Sequence, residues 1–180
     1  MRRLLALGLL AYIAACSPTT RRSKGAGAAP GNSDPVALSA LPFRLSVAPD
    51  EGATTQTAAR RWIWSAPLER GLVAVTWWNR SGSAPVTVAE IDQAAQTLLG
   101  RPGFSATAPR DVGIAGASAA RRVDFTFAGD QSLVGALVLA VREPVAFDVL
   151  VAAEPGSPAA QQLEQVLGSF EIVAGVPPWT

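Results

Sequence analysis

The chain has 180 residues, a formal net charge of +1, no histidine and a single cysteine. Without histidine, serine–histidine hydrolysis, cysteine–histidine catalysis and histidine-ligated zinc or iron are excluded. With one cysteine, no disulfide can form within the chain, so packing alone must hold it.

The first residues, Met1 to Cys16, place Arg2 and Arg3 ahead of an apolar run, Leu4 to Ala15, closed by small residues. This is the layout of a secretory signal, and the run falls short of the roughly 20 residues needed to span a bilayer. Ile13-Ala14-Ala15-Cys16 resembles the bacterial lipobox, in which a cysteine receives diacylglycerol before cleavage. Cys16 is the sole cysteine and stands where that chemistry would use it. The reading divides the chain into a lipoprotein signal over 1–15, a flexible tether over 16–39 and one folded domain over 40–176. The tether is rich in Ser, Thr, Gly, Ala and Pro, too poor in large apolar groups to offset the entropy of ordering. Arg21, Arg22 and Lys24 within it are either attracted to anionic headgroups or simply solvated. From residue 40 onward, ten arginines face thirteen carboxylates, so no basic face is available to grip nucleic acid.

In the domain, Phe43, Leu45 and Val47 alternate with polar or small residues and predict a first strand. A loop rich in Thr, Ala and Gln is expected next. Arg61 to Pro67 and Gly71 to Asn79 read as two strands separated by a hairpin-length turn. Val88, Ile91, Ala95, Leu98 and Leu99 then recur at helical spacing, with Thr87 and Glu90 as a capping box and Gly100 at the stop. A turn-rich stretch containing Ala108 to Gly116 follows. Val123, Phe125 and Phe127 point one way and Arg122, Asp124 and Thr126 the other, which gives the clearest strand. Leu133 to Val141 is apolar on both faces and predicts a central strand. Val145, Phe147, Val149 and Val151, interrupted by Asp148, complete an antiparallel meander. Ser157 and Pro158 open a helix with Leu163, Val166 and Leu167 on its apolar stripe and Gly168 at its end. Ser169 to Val173 is a last short strand.

Helices are too few to cross over between every strand pair, so the fold class is α+β: an antiparallel β-sheet with helices packed on it. The leader, the strand at Phe43, the helix from Thr87, the Val123–Val151 meander and the helix running into Gly168-Ser169-Phe170 together resemble the PsbP-like fold, and more closely the LpqN-type actinobacterial lipoproteins. One departure is the polar loop after Pro49-Asp50-Glu51-Gly52, where these proteins often carry a Pro-Gly-Trp-like turn. The resemblance implies an α/β/α sandwich and an accessory role beside larger assemblies.

No phosphate-cradling loop, acidic calcium loop or nucleophile elbow is present, and no cofactor is expected. Asp111, Asp124, Asp130 and Asp148 could supply carboxylate chemistry, but each reads better as a solvated charge; Ser65, Ser118 and Ser132 carry no recognisable base. Trp62 and Trp64 share one strand face, while Trp77 and Trp78 oppose each other, with Trp77 in line with Val73 and Val75 as core. Trp62, Trp64 and Trp78 would form a binding platform if exposed; the competing expectation is that helices cover them. The expected function is a non-enzymatic binding or scaffolding accessory of the cell envelope, held to the extracytoplasmic membrane face by the lipid on Cys16. Its partner would be an envelope protein or a cell-wall component. The alternative is a carboxylate-dependent hydrolase or carbohydrate-binding module acting on cell-wall material.

Overall fold

The computed structural model describes residues 41–47, 54–58, 61–80, 87–129 and 131–173, with backbone only at 54–58, 94 and 98. Cys16 and the expected signal, tether and basic cluster lie outside these residues, as does Asp130. Among the described residues, ten strands run in chain order: β1 Phe43–Arg44, β2 Thr54–Ala58, β3 Arg61–Leu68, β4 Gly71–Asn79, β5 Phe104–Ala106, β6 Arg110–Asp111, β7 Ala119–Ala128, β8 Ser132–Arg142, β9 Val145–Ala153 and β10 Glu171–Ile172. The helices among the described residues are α1 Val88–Leu99, α2 Pro158–Gln161 and α3 Leu163–Gly168.

Eight strands form one antiparallel sheet in the order β2-β3-β4-β9-β8-β7-β5, with β6 also on β7; β1 and β10 form a separate two-stranded ribbon. The α+β reading and the β7-β8-β9 meander hold. The β3–β4 hairpin turns through Glu69 and Arg70, with Leu68 opposite Gly71. Arg70 takes the left-handed region at φ 58, a conformation costly for a non-glycine residue. Glu154 ties it down twice, by an ion pair to its side chain and by donating its N–H to the Arg70 carbonyl.

Because adjacent residues of a strand point to opposite faces, the sheet has two apolar sides. On one, Val73, Val75, Trp77, Phe147, Val149 and Val151 pack against Leu163, Val166, Leu167 and Phe170. On the other, Ala74, Val123, Phe125, Leu137 and Leu150 pack against Ile91, Ala95 and Leu99 of α1. Helices therefore lie on both sides, which makes β9 fully interior: all nine of its residues are buried. Gly135 of β8 leaves room for the ring of Phe125, since a Cβ there would stand 2.7 Å from its Cζ.

Several expectations change. The Thr/Ala/Gln-rich loop contains β2, whose Thr residues suit an extended edge strand. The turn-rich stretch before β7 contributes the short strands β5 and β6, both of which pair with β7. The first strand is two residues long, with Leu45 and Val47 packed on the core outside it. The late helix is split at Gln162, where φ −90 and ψ −2 tighten the turn. Val88, assigned to the apolar stripe of α1, is 47% exposed, and Thr87, Ala89 and Glu90 around it are exposed as well. Asp148, expected to be a solvated charge, is buried, and so is Arg122 on the polar face of β7, because α2, α3 and the β1–β10 ribbon cover one side of the sheet and α1 lies on the other.

Candidate functional site

Asp148 sits in the middle of β9, on the α1 side of the sheet, between Thr76 of β4 and Leu139 of β8. The residue is 7% exposed, and its Oδ1 accepts no hydrogen bond among the described residues. An ionised carboxylate in such a place is costly. Burial pushes the Asp148 carboxyl up to about 7, while the positive charge of Arg61 pulls it back down.

Thr76 is buried beside Asp148, and Ile63 of β3 lies across from Thr76 on the same face. One step toward the end of β4, Trp78 shares this face, and the guanidinium of Arg61 lies over its ring at 4.4 Å from the centroid. A cation so placed is attracted by the negative face of the indole. Arg61 and Trp78 are half-buried and reach solvent, whereas Asp148 lies deeper. Asp148, Thr76, Trp78 and Arg61 form a layered cluster of an aromatic plate and a cation at the rim, with a hydroxyl and an unpaired carboxylate oxygen behind. This set can hold and orient a positively charged or hydrogen-bond-donating group.

The expected Trp62/Trp64/Trp78 platform is divided between the two sides of the sheet. Trp62 lies opposite Trp77 and stacks on it at 6.3 Å, and Trp64 meets Phe43 edge-on at 5.6 Å. Trp77 is fully buried, as expected for core, with its Nε1 unpartnered among the described residues. Trp78 faces the other way. Trp62 and Trp64 are half-buried on the rim of one core, and Trp78 belongs to the Asp148 cluster.

The remaining carboxylate candidates among the described residues, Asp111 and Asp124, are engaged in ion pairs. Arg122 donates from Nη1 and Nη2 to Glu164 at 2.6 and 2.5 Å and from Nε to Asp124 at 2.7 Å. Its neighbour Arg121 points to the opposite side, donating to Asp92 of α1 at 2.9 and 3.1 Å and to Asp111 at 2.9 Å. Two successive arginines of β7 thus clamp helices on opposite faces, and hydrogen bonding from Arg122 holds the Glu164 carboxyl below its usual range. The hydroxyl of Ser118 donates to the Val141 carbonyl at 2.9 Å, Ser132 is exposed at the start of β8, and Ser65 is engaged. No group of three or more metal-ligating side chains occurs among the described residues.

Sequence reasoning passed over Asp148 as a solvated charge. The signal was present in its companions: Ala146, Leu150 and Ala152, which share its face, are all apolar, as expected of a strand covered on both sides.

No family model and no curated protein sequence matches the chain. Among solved structures, it is similar to a protein of unknown function, PA94, from Pseudomonas aeruginosa, at 20% identity and a TM-score of 0.42, over 77% of this chain and 99% of that one. It is also similar to LpqN of Mycobacterium tuberculosis, a protein involved in cell envelope biogenesis, at 13% identity and a TM-score of 0.44, over 76% of this chain and 82% of that one.

Proposed function

We propose that the chain is a lipoprotein anchored through Cys16 at the extracytoplasmic face of a bacterial membrane. Its folded part acts there as a non-enzymatic binding or scaffolding accessory of the envelope. The observation that carries the reading is the leader: a positive start, a short apolar run and the sole cysteine of the chain directly after Ile13-Ala14-Ala15. No helix among the described residues is long and apolar enough to cross a membrane. Binding is favoured over hydrolysis by the arrangement of carboxylates. A two-carboxylate glycosidase needs both groups converging on one substrate, with separations of about 5 to 10 Å. Here Asp148 faces away from Trp62 and Trp64, and on their side Asp124 and Glu164, though brought together, are both tied up as acceptors of the Arg122 guanidinium that stands between them.

The test of the anchor is detergent phase partitioning of the full chain against Cys16→Ser. The native protein is expected in the detergent-rich phase and the variant in the aqueous phase, with altered gel mobility. Equal partitioning and equal mobility would overturn the anchor. The binding role is tested by affinity capture of the tagged, lipidated chain from membranes against a matched control. Co-recovery of a defined envelope component is expected, and repeated recovery of the chain alone would count against it.

A further inference from the structure

Three features of the α1 face belong together. The Asp148 Oδ1 is buried without a hydrogen-bond partner, which is rare enough in folded proteins to need a physical reason. The opposite charge that senses it, on Arg61, forms no ion pair among the described residues and instead lies on the Trp78 ring. Register makes the two positions neighbours: Asp148 stands opposite Thr76 and Trp78 opposite Ala146, so Trp78 and Asp148 are diagonal neighbours across β4 and β9. Such diagonal pairs have Cα atoms about 7–8 Å apart, within reach of a long side chain or a planar ligand.

We propose that this face carries a binding site for a guanidinium group, with Trp78 as the stacking surface, Asp148 as the counter-charge and Arg61 as a resident occupant that the ligand displaces. The guanidinium class follows from what already lies on the ring. The plane of such a cation stacks on indole, and its edge presents N–H groups in a fork that a carboxylate accepts. Arg61 uses the first interaction and leaves the second unused. A ligand approaching from the solvent side could use both, and would supply the hydrogen bond that Asp148 lacks. Thr76, buried beside the carboxylate, adds a hydroxyl that can accept a further N–H. The inference is independent of the lipid anchor, because it concerns only the folded part.

The experiment is calorimetric titration of the full-length chain, in non-ionic detergent at pH 8, with agmatine and with capped arginine amide, ionic strength being held constant with sodium chloride. Native protein is compared with Arg61→Ala, Asp148→Asn and the double variant. Emptying the ring in Arg61→Ala should tighten agmatine binding at least ~10-fold, and adding Asp148→Asn should abolish that gain. Binding of agmatine alone would identify a free small molecule as the ligand, and binding of capped arginine as well would identify an arginine side chain of a partner. Equal affinity of Arg61→Ala and the double variant, or no binding to a folded Arg61→Ala protein, would overturn the proposal. Should Arg61→Ala not melt cooperatively, Arg61→Gln keeps the stem and serves the same comparison. Native protein against Asp148→Asn then provides the second arm at higher probe concentration.

Discussion

At Asp148 the folded state holds a carboxyl whose affinity for its proton exceeds that in the unfolded chain, rising from 3.8 to about 7. Between those limits the folded protein binds more protons than the unfolded one, so stability declines as pH rises and levels off above about 7. Arg61, sharing the face, lessens the penalty; Arg121, in the same cross-strand row beyond Leu139, is already engaged by Asp92 and Asp111. Asp148→Asn should therefore be more stable than the native chain at pH 8, by on the order of 2–4 kcal/mol, and close to it at pH 4. Urea melts at the two pH values would check this, and a pH-independent difference would exclude titration of Asp148 as its source. The Arg122–Glu164 pair is asymmetric: the Arg122 side chain is 7% exposed and that of Glu164 74%. Because water partly screens it, Glu164→Ala should cost about 1–2 kcal/mol, below the cost of breaking a fully buried pair, as read from the urea midpoint. Neither environment was legible from the residue alone. Arg122 looks like the outward half of an alternating strand, and only the second covering layer turns outward into inward; for Asp148 the signal lay in the apolar residues that share its face.

Elements were legible in proportion to how much of their stabilising chemistry is local. For α1, sequence and structure agree because its start is set by contacts three residues apart. Thr87 Oγ1 accepts the Glu90 N–H at 3.3 Å, and the Glu90 carboxylate accepts the Thr87 N–H at 2.8 Å. These bonds also hold the Glu90 carboxyl below its usual range. Thr87→Ala should lower stability by about 1 kcal/mol, with loss of helical circular dichroism confined to the first turn. Strand β2 is the opposite case: Thr54-Thr55-Gln56-Thr57-Ala58 contains no large apolar residue, and its extended form comes from pairing with β3. Strands β5 and β6 are likewise created by β7, across separations of 10 to 23 residues that no local pattern records. The Asp148 cluster was only half visible for the same reason. Trp78 stood out by residue type and Arg61 did not, and the pairing of β4 with β9 that brings Trp78 to Asp148 joins segments about seventy residues apart.

Across the molecule, the two cores are not independent. They share β4, β9, β8 and β7, whose side chains alternate between them, so neither helical layer can lose its sheet face without exposing the other. Unfolding should be a single transition, with tryptophan near-ultraviolet dichroism and far-ultraviolet dichroism tracing superimposable urea curves; separated curves would mean that one layer dissolves first. A single extra residue inserted between Arg121 and Arg122 would leave both guanidinium groups on one side of β7, and one of the two helical layers would lose its ionic fastening. Length, more than composition, is thus the property of this strand that natural variation and protein engineering must leave alone.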